Sequence, residues 1–271
     1  MAEETKIGRK SVPICLLGAL AGDVIGSVYE YNAPKSIKFE LFTPYSRITD
    51  DSVLTIAIAD AIINQRSYLD CVREYALKYP GSGYGGYFRQ WMYSANPQPY
   101  NSFGNGSAMR VSPVGWAFDT VEETLRQASA SAAITHNHPE GIKGAQAVAL
   151  AIFSARNGAN KEQIRSEIAK RFGYDLSFTL DEIRPTYNFD ETCQKTVPPA
   201  IVAFLESNDF EEAIRNAISL GGDADTLAAI TGSIAEAFYG GVPEEIVTEV
   251  CQLVPDGLWT IVEIFGSKFG K

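Results

Sequence analysis

The chain has 271 residues, 45% hydrophobic and 21% charged, with 23 Lys plus Arg against 33 Asp plus Glu and a formal net charge of −10. That length and apolar content suit a soluble globular protein with a sizeable core. The acidic balance argues against general binding to DNA or RNA backbones, which needs a basic face, and leaves room only for a local basic pocket.

Residues 1–10 are polar and carry Glu3 and Glu4, unlike a secretory signal. They are expected to be a polar tail ahead of one domain over residues 11–271. Ser11 and Pro13 mark a helix start. The apolar run behind them continues through Gly22-Asp23-Val24-Ile25-Gly26 to Glu30. Asp23 and Glu30 interrupt it, so no membrane span is expected. Gly18, Gly22 and Gly26 recur every fourth residue and should line one face for close helix contact. On a continuous helix, Asp23 and Glu30 would point the same way. An acid on an apolar helix is costly unless paired or metal-bound; the plainer reading ends the helix with Glu30 in solvent.

Residues 32–46 read as a loop. Ile48-Thr49-Asp50-Asp51-Ser52 then opens an apolar helix reaching Ile63. Capping needs one carboxylate, and two adjacent ones repel. A cation would relieve that repulsion, helped by the positive helix end. A helix over 68–79 precedes the glycine-rich loop 80–86. That loop is no P-loop, because no Gly-Lys-Ser/Thr closes it. It is either a plain loop or a set of N–H donors for phosphate. A proline-bearing loop over 96–100 leads to Ser102-Phe103-Gly104-Asn105-Gly106-Ser107-Ala108-Met109-Arg110. Phe103 there is either a ring for stacking or an ordinary core aromatic.

A small-residue helix over 121–134 ends at Thr135-His136-Asn137-His138-Pro139-Glu140, which holds both histidines of the chain and does not match His-Glu-x-x-His. Further helices are expected over 144–155 and 161–172. Residues 176–196 should be an irregular rim or lid. A buried helix over 197–205 would carry Pro198 and Pro199 in its first turn, and others follow over 209–220, 243–253 and 258–265. Cys15, Cys71, Cys193 and Cys251 form no C-x-x-C pair and read as free thiols of a reducing compartment. A cytoplasmic location and a monomer are therefore expected. No convincing period-two strand occurs, so the predicted fold is all-α: one compact orthogonal helical bundle with ligand loops at helix N-termini.

The stretch that organises the chain is Gly221-Gly222-Asp223-Ala224-Asp225-Thr226, ahead of an apolar helix with Leu227, Ile230, Ile234 and Phe238 on one face. Asp223 falls at the N-cap, and Asp225 and Thr226 fall in the first turn. These oxygens can cap N–H groups or hold a divalent cation. An EF-hand fails, since its twelfth position is Ile234 rather than Glu. The Asp-x-Asp of a nucleotide-sugar transferase usually follows a strand, whereas residues 210–220 read as a helix.

Five motifs in order, Gly18 to Glu30, Thr49-Asp-Asp-Ser52, Gly104-Asn-Gly-Ser-Ala-Met-Arg110, Thr135-His136 and Gly221-Gly-Asp-Ala-Asp-Thr226, span nearly the whole chain. In these the chain resembles the ADP-ribosylglycohydrolase family. The resemblance implies an all-helical enzyme that uses two divalent cations, Mg2+ or Mn2+, to release ADP-ribose from modified proteins or related conjugates. It implies Thr49, Asp50, Asp51 and Asp225 around one ion. Asp223, Asp225 and Thr226 would surround the second, with Asp225 bridging. Glu30, with Asp51 and Asp225, would carry the catalysis, Glu30 as metal ligand or general acid–base. Gly83, Gly85, Ser102, Gly104, Asn105, Gly106, Met109 and His136 match regions embracing the diphosphate and riboses, and Phe103 matches an aromatic at the adenine. Ser52 stands where the family often has Thr, which keeps the hydroxyl. Glu236 replaces a frequent small residue, and a face turned to solvent is expected there. A non-catalytic ADP-ribose binder and a nucleotide-sugar transferase are the rival readings. These motifs do not fix which linkage is cleaved.

Overall fold

The structure, a computed structural model, describes residues 15–270. The polar tail and the helix start at Ser11 and Pro13 lie outside the described residues. Fifteen helices follow one another: α1 Leu17–Gly26, α2 Asp50–Ile63, α3 Tyr68–Lys78, α4 Gly86–Tyr93, α5 Gly106–Met109, α6 Ser112–Ala117, α7 Val121–Ala133, α8 Pro139–Arg156, α9 Lys161–Phe172, α10 Leu180–Ile183, α11 Cys193–Leu205, α12 Phe210–Leu220, α13 Ala224–Tyr239, α14 Glu244–Leu253 and α15 Asp256–Phe269. No strand occurs among the described residues; a lone antiparallel bridge joins Gly104 and Thr192. The fold is all-α, as expected. No helix among these residues is long and apolar enough to cross a membrane.

Local chemistry explains many helix starts. Side chains of Thr49, Ser67, Thr120, Asn160, Thr179 and Asp209 each accept a backbone N–H from the first turn that follows, relieving donors a helix start leaves unpaired.

At the centre α1 lies antiparallel on α13 with no side chains between their backbones. A Cβ on Gly18 would stand 2.1 Å from Gly232 O, and one on Gly22 2.1 Å from Ala228 O. One on Gly26 would stand 2.4 Å from Asp225 Cα. The expected glycine face is thus realised, and its partner is the helix that carries Asp225. All ten residues of α1 are buried, as are Ala224 to Ala237 of α13. Both helices are therefore core elements enclosed by α2, α8, α11 and α12.

Several expectations are corrected. The first helix stops at Gly26, so Glu30 lies four residues beyond its end and does not share a helical face with Asp23. The helix expected from 197 begins at Cys193, which puts Pro198 and Pro199 in its interior. Proline at 199 frees the carbonyl of Lys195, and the Tyr187 hydroxyl donates to it at 2.9 Å, which offsets the lost bond. The irregular stretch 176–196 contains the short α10. Glu236 does not face solvent: it is 1% exposed. Its carboxylate accepts N–H bonds from Leu16, Leu17 and Gly18 at 3.1, 3.2 and 2.9 Å. It thereby caps α1 from the far end of α13. Leu16, the residue before α1, sits at φ 99°, a conformation that a β-carbon disfavours.

Candidate active site

The glycine contact determines what meets at one end of this helix pair. Because α1 runs against α13 without a spacer, Asp23 near the end of α1 arrives beside Asp225 in the first turn of α13. The N-terminus of α2 completes the meeting point. Asp23, Asp51 and Asp225, all buried, each bring a carboxylate oxygen within 4.8 Å of the other two.

Asp23 is fully occupied by α2. Its Oδ2 accepts the backbone N–H groups of Thr49 (2.9 Å) and Ser52 (3.1 Å) and the Ser52 hydroxyl, while Oδ1 accepts the Thr49 hydroxyl at 2.6 Å. Asp23 therefore works as a cap supplied from another helix, fixing the turn that displays Asp50 and Asp51. Asp51 Oδ2 accepts the Thr226 hydroxyl at 3.3 Å, but its buried Oδ1 has no hydrogen-bond partner among the described residues. Asp223 occupies the N-cap of α13 without capping it; its Oδ2 instead accepts Asn105 Nδ2 at 2.7 Å. Asp225 Oδ1 accepts the neighbouring Thr226 N–H at 2.9 Å.

Among the described residues no lysine or arginine forms an ion pair with any of these five aspartates. The electrostatic consequence is large. Burial, followed by the charges of Asp23 and Asp50, raises Asp51 well above the carboxylate range. Burial and then Asp223 and Asp51 do the same to Asp225. Asp50 is raised to about 8, by burial of its carboxylate first and by Asp23 next. A buried carboxylate oxygen with no donor among the described residues, inside a cluster of acids with no ion-paired lysine or arginine there, is what a hard cation would satisfy. Asp51 and Asp225, with Asp50, Asp223 and the hydroxyls of Thr49 and Thr226 around them, fit that requirement.

The surroundings add a reactive edge. Glu30 is half-buried in the turn after α1. Burial raises its pKa, with Asp223 adding and a Tyr31 hydrogen bond opposing. The Tyr31 ring is 86% exposed and stacks on Phe189, centroids 6.4 Å apart and planes 13° apart. Phe189 belongs to the segment between α10 and α11, which Lys35 ties down: its ammonium donates to Tyr187 O at 2.6 Å, to Arg184 O at 3.2 Å and to the Leu220 carbonyl that ends α12. The expected rim over residues 176–196 therefore stands beside the acids.

Of the residues expected to bind substrate, Gly83 touches the acid cluster: a Cβ there would meet Asp50 Oδ1 at 3.2 Å. Gly85 is the N-cap of α4, with open space where a side chain would be. Asn105 ties the loop before α5 to Asp223. Ser102 Oγ accepts Gly104 N at 3.1 Å, and Gly104 and Gly106 both border the His136 ring. Phe103 is 45% exposed with its ring edge-on to His138, so it is no core aromatic. Met109 lies buried beneath Thr226, its Sδ 3.9 Å from that hydroxyl.

Sequence reasoning missed the role of Asp23. The signal was present, an aspartate inside an otherwise apolar, glycine-striped helix, but its partners lie 26 and 29 residues away.

A sequence model described as ADP-ribosylglycohydrolase matches residues 9–269. The ADP-ribosylhydrolase ARH3 of Mus musculus is 28% identical over 312 residues, covering 85% of this chain and 84% of its own length. The Homo sapiens ARH3 is also 28% identical, covering 85% and 86%. The ADP-ribosylarginine hydrolase Tri1 of Pseudomonas putida (strain GB-1) is 26% identical, covering 87% of this chain and 72% of its own. A solved structure titled ADP-ribosylglycohydrolase-related protein complex superposes with a TM-score of 0.70 at 22% identity, covering 96% of this chain and all of that one, and so shares the fold. With the acid cluster placed and the match spanning nearly every residue, this chain belongs to the ADP-ribosylglycohydrolase family and is a hydrolase of that family.

Proposed function

We propose that this chain is a hydrolase dependent on two divalent cations, Mg2+ or Mn2+. It would release ADP-ribose from a modified protein side chain by cleaving the bond at the anomeric carbon of the distal ribose. The observation that carries this reading is the uncompensated acid cluster with the orphaned Asp51 Oδ1 at its centre. The relatives named for ADP-ribosylated substrates support the choice of sugar.

Asp50, Asp51 and Asp225 with Thr49, and Asp223 and Asp225 with Thr226, are the groups that would hold the cations. When bound, such ions supply positive charge that orients ribose oxygens and acidifies water. The chain's own residues do the rest. Asn105 holds Asp223 in place and Asp23 holds the Thr49–Ser52 turn, so the oxygens are pre-set before substrate arrives. Breaking the glycosidic bond builds oxocarbenium character on the ribose, and carboxylates beside it would stabilise that positive charge. Water forms the new C–O bond while the acceptor leaves with the bonding pair, and one water proton must reach the leaving group. Glu30, half-buried and with a raised pKa, is the carboxyl to which we assign the transfer of that proton.

A non-catalytic binder would retain ADP-ribose without releasing it, and a transferase would pass the sugar to an acceptor rather than to water. Peptides bearing ADP-ribose on serine or on arginine, incubated with and without EDTA and read by mass spectrometry, separate the three. The proposal expects free ADP-ribose from at least one peptide and none with EDTA. Release that survives EDTA, or no release from any conjugate, overturns it.

A further inference from the structure

His136 is buried, and its Nδ1 lies 2.7 Å from the hydroxyl of the adjacent Thr135. That hydroxyl oxygen is 2.8 Å from Nη2 of Arg110. A guanidinium has only protons to give, so this bond runs one way, from Arg110 to Thr135. The hydroxyl then has one proton of its own to place. Thr135 is fully buried, and His136 Nδ1 is the acceptor in reach among the described residues. The proton points there, Nδ1 accepts it, and the proton of the neutral ring sits on Nε2. The opposite tautomer would aim two donors at one oxygen and strand a buried hydroxyl proton, which disfavours it by about tenfold or more. Burial, with the charge of Arg110 adding, lowers the His136 pKa well below its ordinary value and keeps the ring neutral.

Nε2 has no acceptor among the described residues. It faces the turn that opens α5: a Cβ on Gly106 would stand 3.2 Å from Nε2 and Cε1, and one on Gly104 3.5 Å from Nε2. Glycine at both positions leaves the N–H bare toward the loop whose Asn105 holds Asp223. Among the described residues no carboxylate forms an ion pair with Arg110. Nη2 also donates to Ser131 O at 3.0 Å, and Nε and Nη1 have no partner among the described residues. The hydrogen bonds it makes go to the end of α7 and to Thr135, where they set the histidine.

We propose that Arg110 and Thr135 are positioning residues that lock His136 as the Nε2–H tautomer, making it a neutral donor to an oxygen of the ADP-ribosyl group at the Gly104–Gly106 turn. The ligand in that statement rests on the functional reading above; the lock does not.

The chain has two histidines, so histidine labelled with 15N in the ring gives two resolvable spin systems. Long-range proton–nitrogen correlation of the full chain with Mg2+ should show a pyridine-type Nδ1 and a pyrrole-type Nε2 for His136. Thr135→Ser, which keeps the hydroxyl, should preserve that pattern. Thr135→Val should move it toward the Nδ1–H or an averaged form and weaken ADP-ribose binding by calorimetry about tenfold. A pyrrole-type Nδ1 in the wild type, or an unchanged pattern in Thr135→Val, overturns the lock. Should the valine variant not fold, the wild-type and serine spectra decide alone. An Nε2 resonance that ADP-ribose shifts supports the donor role; one that bound ADP-ribose leaves unmoved overturns it. A wild type that binds no ADP-ribose refutes the ligand and the functional reading together, and the tautomer still reads out.

Discussion

Replacing Gly22 by alanine strikes the contact that assembles the site. The new methyl would stand 2.1 Å from Ala228 O, 2.2 Å from Ala228 C and 2.5 Å from Ala229 N, all backbone atoms of α13. Non-bonded heavy atoms rest at about 3.5 Å, so α1 and α13 must separate by roughly 1 Å, and no flexible side chain stands there to give way. Overpacking of this kind costs about 1–3 kcal/mol. The better helix propensity of alanine offsets up to about 1 kcal/mol of that, leaving a net loss of about 1–2 kcal/mol. The site should suffer more than the fold. Asp23 is the next residue, and its displacement loosens the Thr49–Ser52 turn while Asp225 recedes from Asp51. Urea unfolding with and without Mg2+ and calorimetric Mn2+ titration check this, with Gly81→Ala as control, where no described residue beyond its chain neighbours stands within 4 Å of the added carbon. The expected result is a lower midpoint, loss of most of the cation-induced stabilisation and unchanged helical circular dichroism. A Gly22→Ala protein with wild-type midpoint and wild-type cation response would refute the backbone contact and the assembly built on it.

Acidity should govern stability when no cation is bound. Asp51 and Asp225 are raised and Asp50 reaches about 8 in the folded chain, so the fold keeps protons that the unfolded chain releases above about pH 4. The sign follows: this contribution is fully present below pH 4 and is lost as pH rises through about 8. Thermal melts in EDTA should therefore show stability falling toward alkaline pH, with added Mn2+ raising the melting temperature most at the alkaline end. A cation effect equal at pH 5 and pH 9 would contradict this. Glu236→Ala strips three buried N–H groups of their acceptor and should cost about 3 kcal/mol in urea unfolding. Burial raises Glu236 to about 8 against those three donors, so Glu236→Gln should also flatten the alkaline decline. An alanine variant within about 0.5 kcal/mol of wild type would rule out the cap. Glu30→Gln should bind ADP-ribose normally and lose turnover about a hundredfold or more; full turnover with normal binding would remove Glu30 from the reaction.

The fold was legible where local chemistry decides it. The stripe of Gly18, Gly22 and Gly26 announced a helix in backbone contact, and the oxygen-rich starts of α2 and α13 announced where acids would gather. What stayed hidden depends on partners far along the chain. A glutamate in an apolar helix reads as a solvent marker unless the N–H groups it caps, 218–220 residues away, are known. Pro198 and Pro199 read as a helix start because the Tyr187 hydroxyl that tolerates them inside α11 is a tertiary neighbour. Glycines at 85 and 86 read as loop, although α4 begins there with Phe88, Trp91 and Met92 on its buried face. Asp23 stood out as a costly acid, but its work as a cap for α2 appears only once α1 and α2 are docked.

The proposed function requires that Asp50 and Asp51 at one helix start and Asp223 and Asp225 at another share a pair of cations. Anomalous diffraction from a crystal grown in Mn2+ tests it most directly. Two manganese peaks among these carboxylates, one of them bonded to Asp51 Oδ1, is the predicted result. Well-ordered carboxylates with no anomalous density between them at saturating Mn2+ would contradict it.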